Sequence, residues 1–464
     1  MKKLIILLMC LCVAIGLLGC HKTRDRSKGE TVKEEVGAEV QVDEPLTLYY
    51  VENQYHQGVP MLLGWYRTQK GAFKIEATAF NTTQELETAL AEEYPDIIML
   101  DKMGSGSALD PFSWVRDGNI AGLNVFMEND TNFDRASYLS GVLEAGTYGG
   151  EQYILPLSVA NQYLMINESE LKTGTLSALG GSFTGEQLLE ELIRDSQAHY
   201  GDTYFTHIPF YYDLSGMGAW IYEILELTGA MHVDRENSEV LINEEMFALT
   251  MEYMKVLIND ANLLYGGNVD LNGEDFLSVE SYCTAVLSDR NAPYMTRYMG
   301  SASHQLLEEE MTILPYALAE GGYAVNINVM GMVSASSDQQ EAAYQVLTAM
   351  MNVPKDKWET LNVGDTFVQM SSPNQKEALA LVDSFAVLDK GNFNVLGAHI
   401  KREPLTENQV KILRDMIENN RSAYIVDQNI VGAIEAYVWP YVEMDGADWA
   451  QIAQDTAQAI ESGM

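Results

Sequence analysis

Leu46-Thr47-Leu48-Tyr49-Tyr50-Val51 is a run of aromatic and branched residues, the composition of a strand, and order begins there. A helical stretch follows near Pro60 to Thr68. Lys74-Ile75-Glu76-Ala77-Thr78-Ala79-Phe80 then alternates apolar and polar positions like a second strand. Thr83 to Glu93 has helical spacing, with Leu86, Ala89 and Leu90 on one face and acids on the other. Pro95-Asp96-Ile97-Ile98-Met99-Leu100 is a short apolar strand. Strand, helix, strand, helix, strand at this spacing predicts right-handed crossovers in a parallel sheet. Binding loops in such sheets lie at the carboxyl ends of the strands, here Val51 to Tyr55 and Asp101 to Ser107.

Downstream the pattern turns helical. Thr184-Gly185-Glu186-Gln187 is a capping box: the threonine accepts from backbone N–H groups and the glutamine reaches back. Glu244 to Asn262 carries Met246, Leu249, Tyr253, Val256 and Leu257 on one stripe. Short strands are predicted at Tyr163 to Ile166, Ala285 to Leu287, Met311 to Leu314 and Met330 to Ser334. Asp338 is expected to cap a helix running to Met351, and the tail beyond it to be almost entirely helical. Leu405-Thr406-Glu407-Asn408-Gln409 is a second capping box, with Val410 placed to staple against Leu405. Trp449, Ile452, Ala453, Thr456, Ala457 and Ile460 form a last apolar stripe. No tandem repeat is evident, and no Gly-, Pro- or Ser-rich linker splits the body.

Met1-Lys2-Lys3 is a cationic start, Leu4 to Leu18 an uncharged apolar run, and Leu17-Leu18-Gly19-Cys20 its close. That order reads as an export signal over residues 1–19, too short for an ordinary membrane span of about 20 apolar residues. Gly19-Cys20 resembles the lipobox of bacterial lipoproteins, in which the cysteine thiol takes a diacylglycerol and becomes the new N-terminus. The resemblance implies lipidation at Cys20, a polar disordered spacer over 20–44, and a body held at the outer face of a membrane by two or three acyl chains. The chain has 28 basic and 67 acidic side chains, a net charge of −39. Such a charge repels phosphate backbones, which makes nucleic acid a poor partner, and it favours a soluble, monomeric body. Of four cysteines, Cys10 and Cys12 leave with the signal and Cys20 is the lipid site. Cys283 alone remains, so the body has no internal disulfide.

Four segments resemble bacterial extracellular solute-binding proteins of the sugar-type ABC importer group, the maltose-binding-protein-like family. Glu92 to Asp101 looks like their Pro-Asp-Ile strand. Gly150-Glu151-Gln152-Tyr153-Ile154-Leu155-Pro156, followed by Tyr163-Leu164-Met165-Ile166-Asn167, resembles their Gly-Lys-x-Tyr-x-x-Pro … Tyr-Tyr-Asn-Lys segment, with Glu168 where lysine is usual. Phe276 to Leu287 resembles the stretch where a buried strand returns to the first lobe, and Gly331 to Tyr344 the start of a second-lobe helix. The matches fall in the family's order. They imply an α/β, two-lobed periplasmic-binding-protein-like fold, each lobe a mainly parallel sheet flanked by helices. Three interlobe crossovers are expected near Pro156, residue 280 and Asn328, giving an N-lobe of 45–157 plus 280–327 and a C-lobe of 158–279 plus 328–464. The family captures a small solute in the cleft, closes about a hinge and docks on the transmembrane subunits of a permease. A mono- or oligosaccharide is the expected solute.

Catalytic signatures are thin. There is no His-Glu-x-x-His, no Gly-x-Ser-x-Gly and no phosphate loop, and the seven histidines lack metal-ligand spacing, so neither metal nor cofactor is expected. Asn268-Val269-Asp270-Leu271-Asn272-Gly273 starts like a calcium loop, but Val279 occupies the position of its closing acid, and it reads as a polar turn. Sugar sites set flat rings against pyranose faces and give amides and carboxylates to the hydroxyls. Trp114, Tyr163, Tyr211, Tyr212, Trp220, Tyr294, Tyr298 and Tyr323 are the candidate rings, although core packing is the commoner fate of an aromatic. Tyr294 follows a strand expected to end at the cleft, at a position where the family often places a stacking ring. Asp101 would accept ligand hydroxyls or cap the next turn. Asn161 would bind ligand or shape the hinge turn. Arg290 would meet an anionic group or a surface carboxylate. In maltose-binding protein the loop after the Pro-Asp-Ile strand carries an aromatic and an arginine; Asp101-Lys102-Met103-Gly104-Ser105-Gly106 has neither, which argues against maltodextrin. A surface-anchored polysaccharide hydrolase and a ligand sensor for a membrane kinase are the alternatives in function.

Overall fold

The first strand, β1 (Leu46–Val51), buries Leu46 and Leu48 on one face and exposes Thr47 between them, as its alternation requires, and Val51 at its end is buried on the opposite face. The computed structural model describes residues 44–52, 58–101, 109–161, 163–167, 183–199, 205–209, 217–265, 283–288, 297–298, 311–357, 371–387, 391–395, 398–402 and 405–464. All of these lie in one compact unit, 42–464. After β1 come α1 (Gly58–Tyr66), β2 (Ile75–Phe80), α2 (Thr83–Glu92) and β3 (Ile97–Asp101). β2 and β3 flank β1, both parallel to it, as the sequence predicts. Every residue of β3 is buried, the signature of a strand covered on both faces. Asp96, just before β3, accepts from both the backbone N–H (2.7 Å) and the hydroxyl (2.9 Å) of Thr47, which pins the β1–β3 register at its base.

A short helix, α3 (Pro111–Arg116), leads towards β4 (Ile154–Asn161), which pairs antiparallel with a later strand of this first sheet. The chain then enters a second sheet with β5 (Tyr163–Asn167), α4 (Gly185–His199) and β6 (Phe205–Pro209). α5 (Met217–Thr228), the hairpin β7 (Met231–Asp234) and β8 (Glu239–Ile242), and α6 (Glu244–Tyr265) follow. β9 (Cys283–Ser288) and β10 (Met311–Pro315) complete a sheet of order β10-β5-β9-β6. The chain returns to the first sheet through β11 (Tyr323–Val333), whose eleven residues extend well upstream of the predicted strand at Met330. α7 (Gln340–Met351), α8 (Gln375–Phe385), α9 (Glu407–Glu418), β12 (Asn420–Tyr424), α10 (Gln428–Tyr437) and α11 (Trp449–Gly463) close the chain. The first sheet has the order β12-β11-β3-β1-β2, with β4 also on β11.

Several expectations need correction. The sheets are mixed rather than mainly parallel: β11 runs antiparallel to β3 and β4, and β5 runs antiparallel to both of its neighbours. The tail is not almost entirely helical, since β12 pairs parallel with β11 and residues 391–395 pair with 398–402. Gln339, not Asp338, is the N-cap residue of α7, and its side chain makes no capping bond. The lobe boundaries also move. Strands 283–288 and 311–315 belong with β5, not with the first sheet, and β11 and β12 belong with the first sheet. Pro156 and Asn328 mark irregularities of the β4–β11 ladder, where the register shifts between Ile327 and Val329 and again before Met330. Proline has no N–H to give a ladder, so within a sheet it is tolerated at such bulges. The sheet-to-sheet passages lie instead at Asn161–Tyr163, Pro315–Tyr323 and Tyr424–Gln428.

Local signals held. Thr184 and Gln187 exchange their capping bonds at 3.0 and 3.2 Å, and Thr406 and Gln409 do so at 2.9 and 3.2 Å. Thr406→Ala is therefore expected to cost about 1 kcal/mol, read as a lower urea midpoint with unchanged slope. The second sheet's core joins α4, α5, α6, α10 and α11 through Leu188, Ile221, Leu225, Phe247, Tyr253, Ile434 and Ile460. On α11 Trp449, Ile452, Ala453, Thr456 and Ile460 are buried as their spacing requires. Among the described residues no helix is long and apolar enough to cross a membrane.

Candidate functional site

The three passages between sheets lie side by side because the strands that carry them are neighbours. Asn161, the last residue of β4, stands opposite Val325 of β11. Asn326 stands opposite Ala160 on one side and Tyr424, the last residue of β12, on the other. Across the first passage, Tyr163 stands opposite Ser288 of β9 and Pro315 of β10. β4, β5, β10, β11 and β12 thus converge on one seam, and the seam is polar. Asn161, Ser158 and Asn326 are buried there, and α5 reaches it through Tyr222 and Glu223. The Nδ2 of Asn326 donates to Oε1 of Glu223 on α5 at 3.2 Å, joining the first sheet to the second sheet's helices. The ring of Tyr222 meets that of Tyr424 edge-on at 5.9 Å.

A second polar node lies at the third passage. Asp427 caps α10, accepting from the Ile430 N–H at 3.0 Å, and pairs with the guanidinium of Arg235 from the turn between β7 and β8. Both side chains are almost fully buried, 4% and 0% exposed. The guanidinium also sits 3.8 Å over the ring of Phe112 on α3, and Gln428 donates its N–H to Leu109 O at 3.2 Å. α3, the β7–β8 turn and the passage into α10 therefore share one charged contact. Burial pushes the Asp427 carboxyl up, while Arg235 and the Ile430 N–H pull it back.

The structure brings three of the predicted site residues to this seam. Asn161 and Tyr163 flank the first passage, and Trp220 lies on α5 one turn before Glu223, half-buried and packed on the second core. Tyr163 is wholly buried, so its ring packs within the protein. Asp101 lies elsewhere, opposite Val329 on β11. Its carboxylate accepts the N–H groups of Val59, at 3.2 Å, and Gly58, which makes it the cap of α1, 42 residues upstream; the next turn, its other expected place of action, lies outside the described residues. Burial pushes it up to about 7 despite those two N–H bonds. Trp114 is buried on α3, and the Tyr323 hydroxyl donates to Asp415 at 2.7 Å. Cys20, Tyr211, Tyr212, Arg290, Tyr294 and the loop 268–273 lie outside the described residues, as do most of the two loops expected after β1 and β3. Glu223, Asn326, Arg235 and Asp427 escaped sequence reasoning. Arg235 and Asp427 are 192 positions apart, and no local pattern pairs them.

No family model matches the chain, and no curated protein matches it. Solved structures share its fold. A sugar transporter from Rhizobium etli, in an open conformation, superposes with a TM-score of 0.57 at 15% identity, over 90% of this chain and 99% of its own. The sugar-binding protein MalE from Xanthomonas citri gives 0.56 at 12% identity, over 90% of this chain and 97% of its own. An ABC substrate-binding protein from Listeria monocytogenes in complex with cycloalternan gives 0.53 at 12% identity, over 90% of this chain and 98% of its own. The fold is the two-lobed one of solute-binding proteins, and the polar seam lies where its lobes join.

Proposed function

We propose that a chain with this two-lobed fold is the lipid-anchored extracellular solute-binding subunit of an ABC importer. It captures a small solute, a mono- or oligosaccharide, between its lobes and delivers it to a permease without changing it chemically. The observation that carries this reading is the fold itself: two sheets, each with its own helices, joined by three adjacent passages. That arrangement permits hinge closure with little change inside either half. The likeness to sugar-binding structures over 90% of the chain supports a sugar as the solute. Closure transmits binding only if the ligand touches both lobes, because only differential affinity shifts an open–closed equilibrium. Asn161 and Trp220, beside the seam, are our candidates for ligand contact among the described residues, and Tyr163, wholly buried, supports the passage between them. Anchoring rests on the sequence at Gly19-Cys20.

A panel of sugars, peptides and organic anions tested by thermal shift decides the ligand class. At a concentration 100 times its Kd, the true ligand adds about 2.7 kcal/mol to stability. A response to a sugar supports the reading. A response confined to peptides or anions leaves solute binding standing and removes the sugar. Cleavage of a chromogenic glycoside would replace the reading with hydrolysis. Labelled palmitate should enter the wild-type chain and not Cys20→Ser.

A further inference from the structure

We propose that His232, Glu226 and Tyr222 form a proton-operated clasp that ties α5 to the β7–β8 hairpin and, through Tyr424, governs how the two lobes are held at the third passage. Glu226 is a carboxylate with almost no exposure, yet it is fully engaged. Its Oε1 accepts from the Tyr222 hydroxyl at 2.5 Å and the Val233 N–H at 3.3 Å, and its Oε2 meets His232 Nδ1 at 2.9 Å. His232 is the part of the array that reaches solvent, with its side chain 36% exposed against 1% for Glu226. The far end of the array reaches the seam. The same Tyr222 that donates to Glu226 sets its ring against Tyr424, and Tyr424 is in register with Asn326, which binds Glu223, the residue after Tyr222. α5 therefore grips the hairpin with Glu226 and the first sheet with Tyr222 and Glu223.

The other charges near the array do not supply what His232 supplies. Asp234, on the same strand, favours the charged imidazole, and Arg235 opposes it. Arg235 is itself spent on Asp427, and Asp427 bears on Tyr222 as a further negative charge. β8 sets apolar Leu241 opposite His232, and Glu461 of α11 reaches the same hairpin at the Val240 N–H, 3.0 Å away. His232 is thus the cation that faces the buried Glu226. The carboxylate of Glu226 holds its imidazole above the ordinary range. A raised histidine stabilises fully below its unfolded value of about 6.5, and the contribution is lost as pH rises through the folded value. Above that point the neutral imidazole no longer gives Glu226 a charge-assisted bond, and the hairpin is held to α5 less tightly. Because Tyr222 both donates to Glu226 and packs against Tyr424, loosening at the hairpin is passed to the seam.

The test needs no ligand. Thermal unfolding and small-angle scattering of the full chain are followed from pH 5 to 9 for wild type, His232→Gln and Tyr222→Phe. In wild type, melting temperature and radius of gyration should change together over one single-proton transition. His232→Gln should lose that transition in both readouts. Tyr222→Phe should keep it in melting temperature and lose it in radius of gyration. Matching profiles for wild type and His232→Gln overturn the clasp. A transition in stability with no change in radius of gyration overturns its reach to the lobes. The effect on solute capture rests on the function proposed above, and the two fail separately: if no solute binds, that reading falls and these profiles still decide the clasp.

Discussion

Replacing Arg235 by methionine is expected to cost about 3–5 kcal/mol, the range for removing one partner of a buried ion pair. The loss is large because of what remains. Asp427 is 0% exposed, and its carboxylate would stay in the interior without its cation. Phe112 also loses the guanidinium over its ring, and the α3 contact loosens. Asp427→Asn keeps an acceptor for the Ile430 N–H, so it tests the charge rather than the helix cap. The double variant, Arg235→Met with Asp427→Asn, should be more stable than Arg235→Met alone, because no unpaired charge is left inside. Urea midpoints of the four proteins give the coupling directly. If Arg235→Met costs under about 1 kcal/mol, in the range of an exposed pair, the contact does not hold the third passage.

The second large effect is a dependence of stability on pH carried by Asp101. A carboxyl raised from 3.8 to about 7 binds its proton more tightly folded than unfolded. Between those values the native state holds more protons, so stability falls as pH rises from about 4 to about 7 and stays at the lower level above. A tenfold change in proton affinity is worth about 1.4 kcal/mol, which bounds the loss at about 4 kcal/mol. Asp101→Asn removes the ionisation and keeps an oxygen for the Val59 N–H. The variant should be more stable than wild type at pH 8, with the acid-side slope gone. Equal slopes in the two proteins would show that Asp101 ionises freely. Ligand binding separates its two expected roles: a sugar that binds the variant with wild-type affinity leaves Asp101 as the cap of α1.

Local physics made much of this fold legible. The β1–β3 region was readable because a two-residue period and a 3.6-residue period cannot be confused over six to ten residues. Both capping boxes were readable because each bond spans three residues. Reading failed where a residue's meaning depends on a distant partner. Pro156 looks like a chain crossing and is a ladder irregularity, because what surrounds it is β11, some 170 positions away. Met311 to Pro315 has the composition of any short strand, and only its pairing with β5 assigns it to the second sheet. Asp101 was visible as a carboxylate at a strand end, but that its oxygens turn to the N-terminus of α1 follows from packing alone.

By itself, the order of residues determined the signal-like start, the charge, the runs of strand and helix and their caps, since each depends on neighbours a few positions apart. The tertiary structure alone decided which strands share a sheet, where the chain passes between sheets, and which buried charges meet, as Arg235 meets Asp427 and His232 meets Glu226. The reason is physical: desolvation makes an interior charge depend on whatever side chain the fold sets against it, and chain separation carries no record of that pairing.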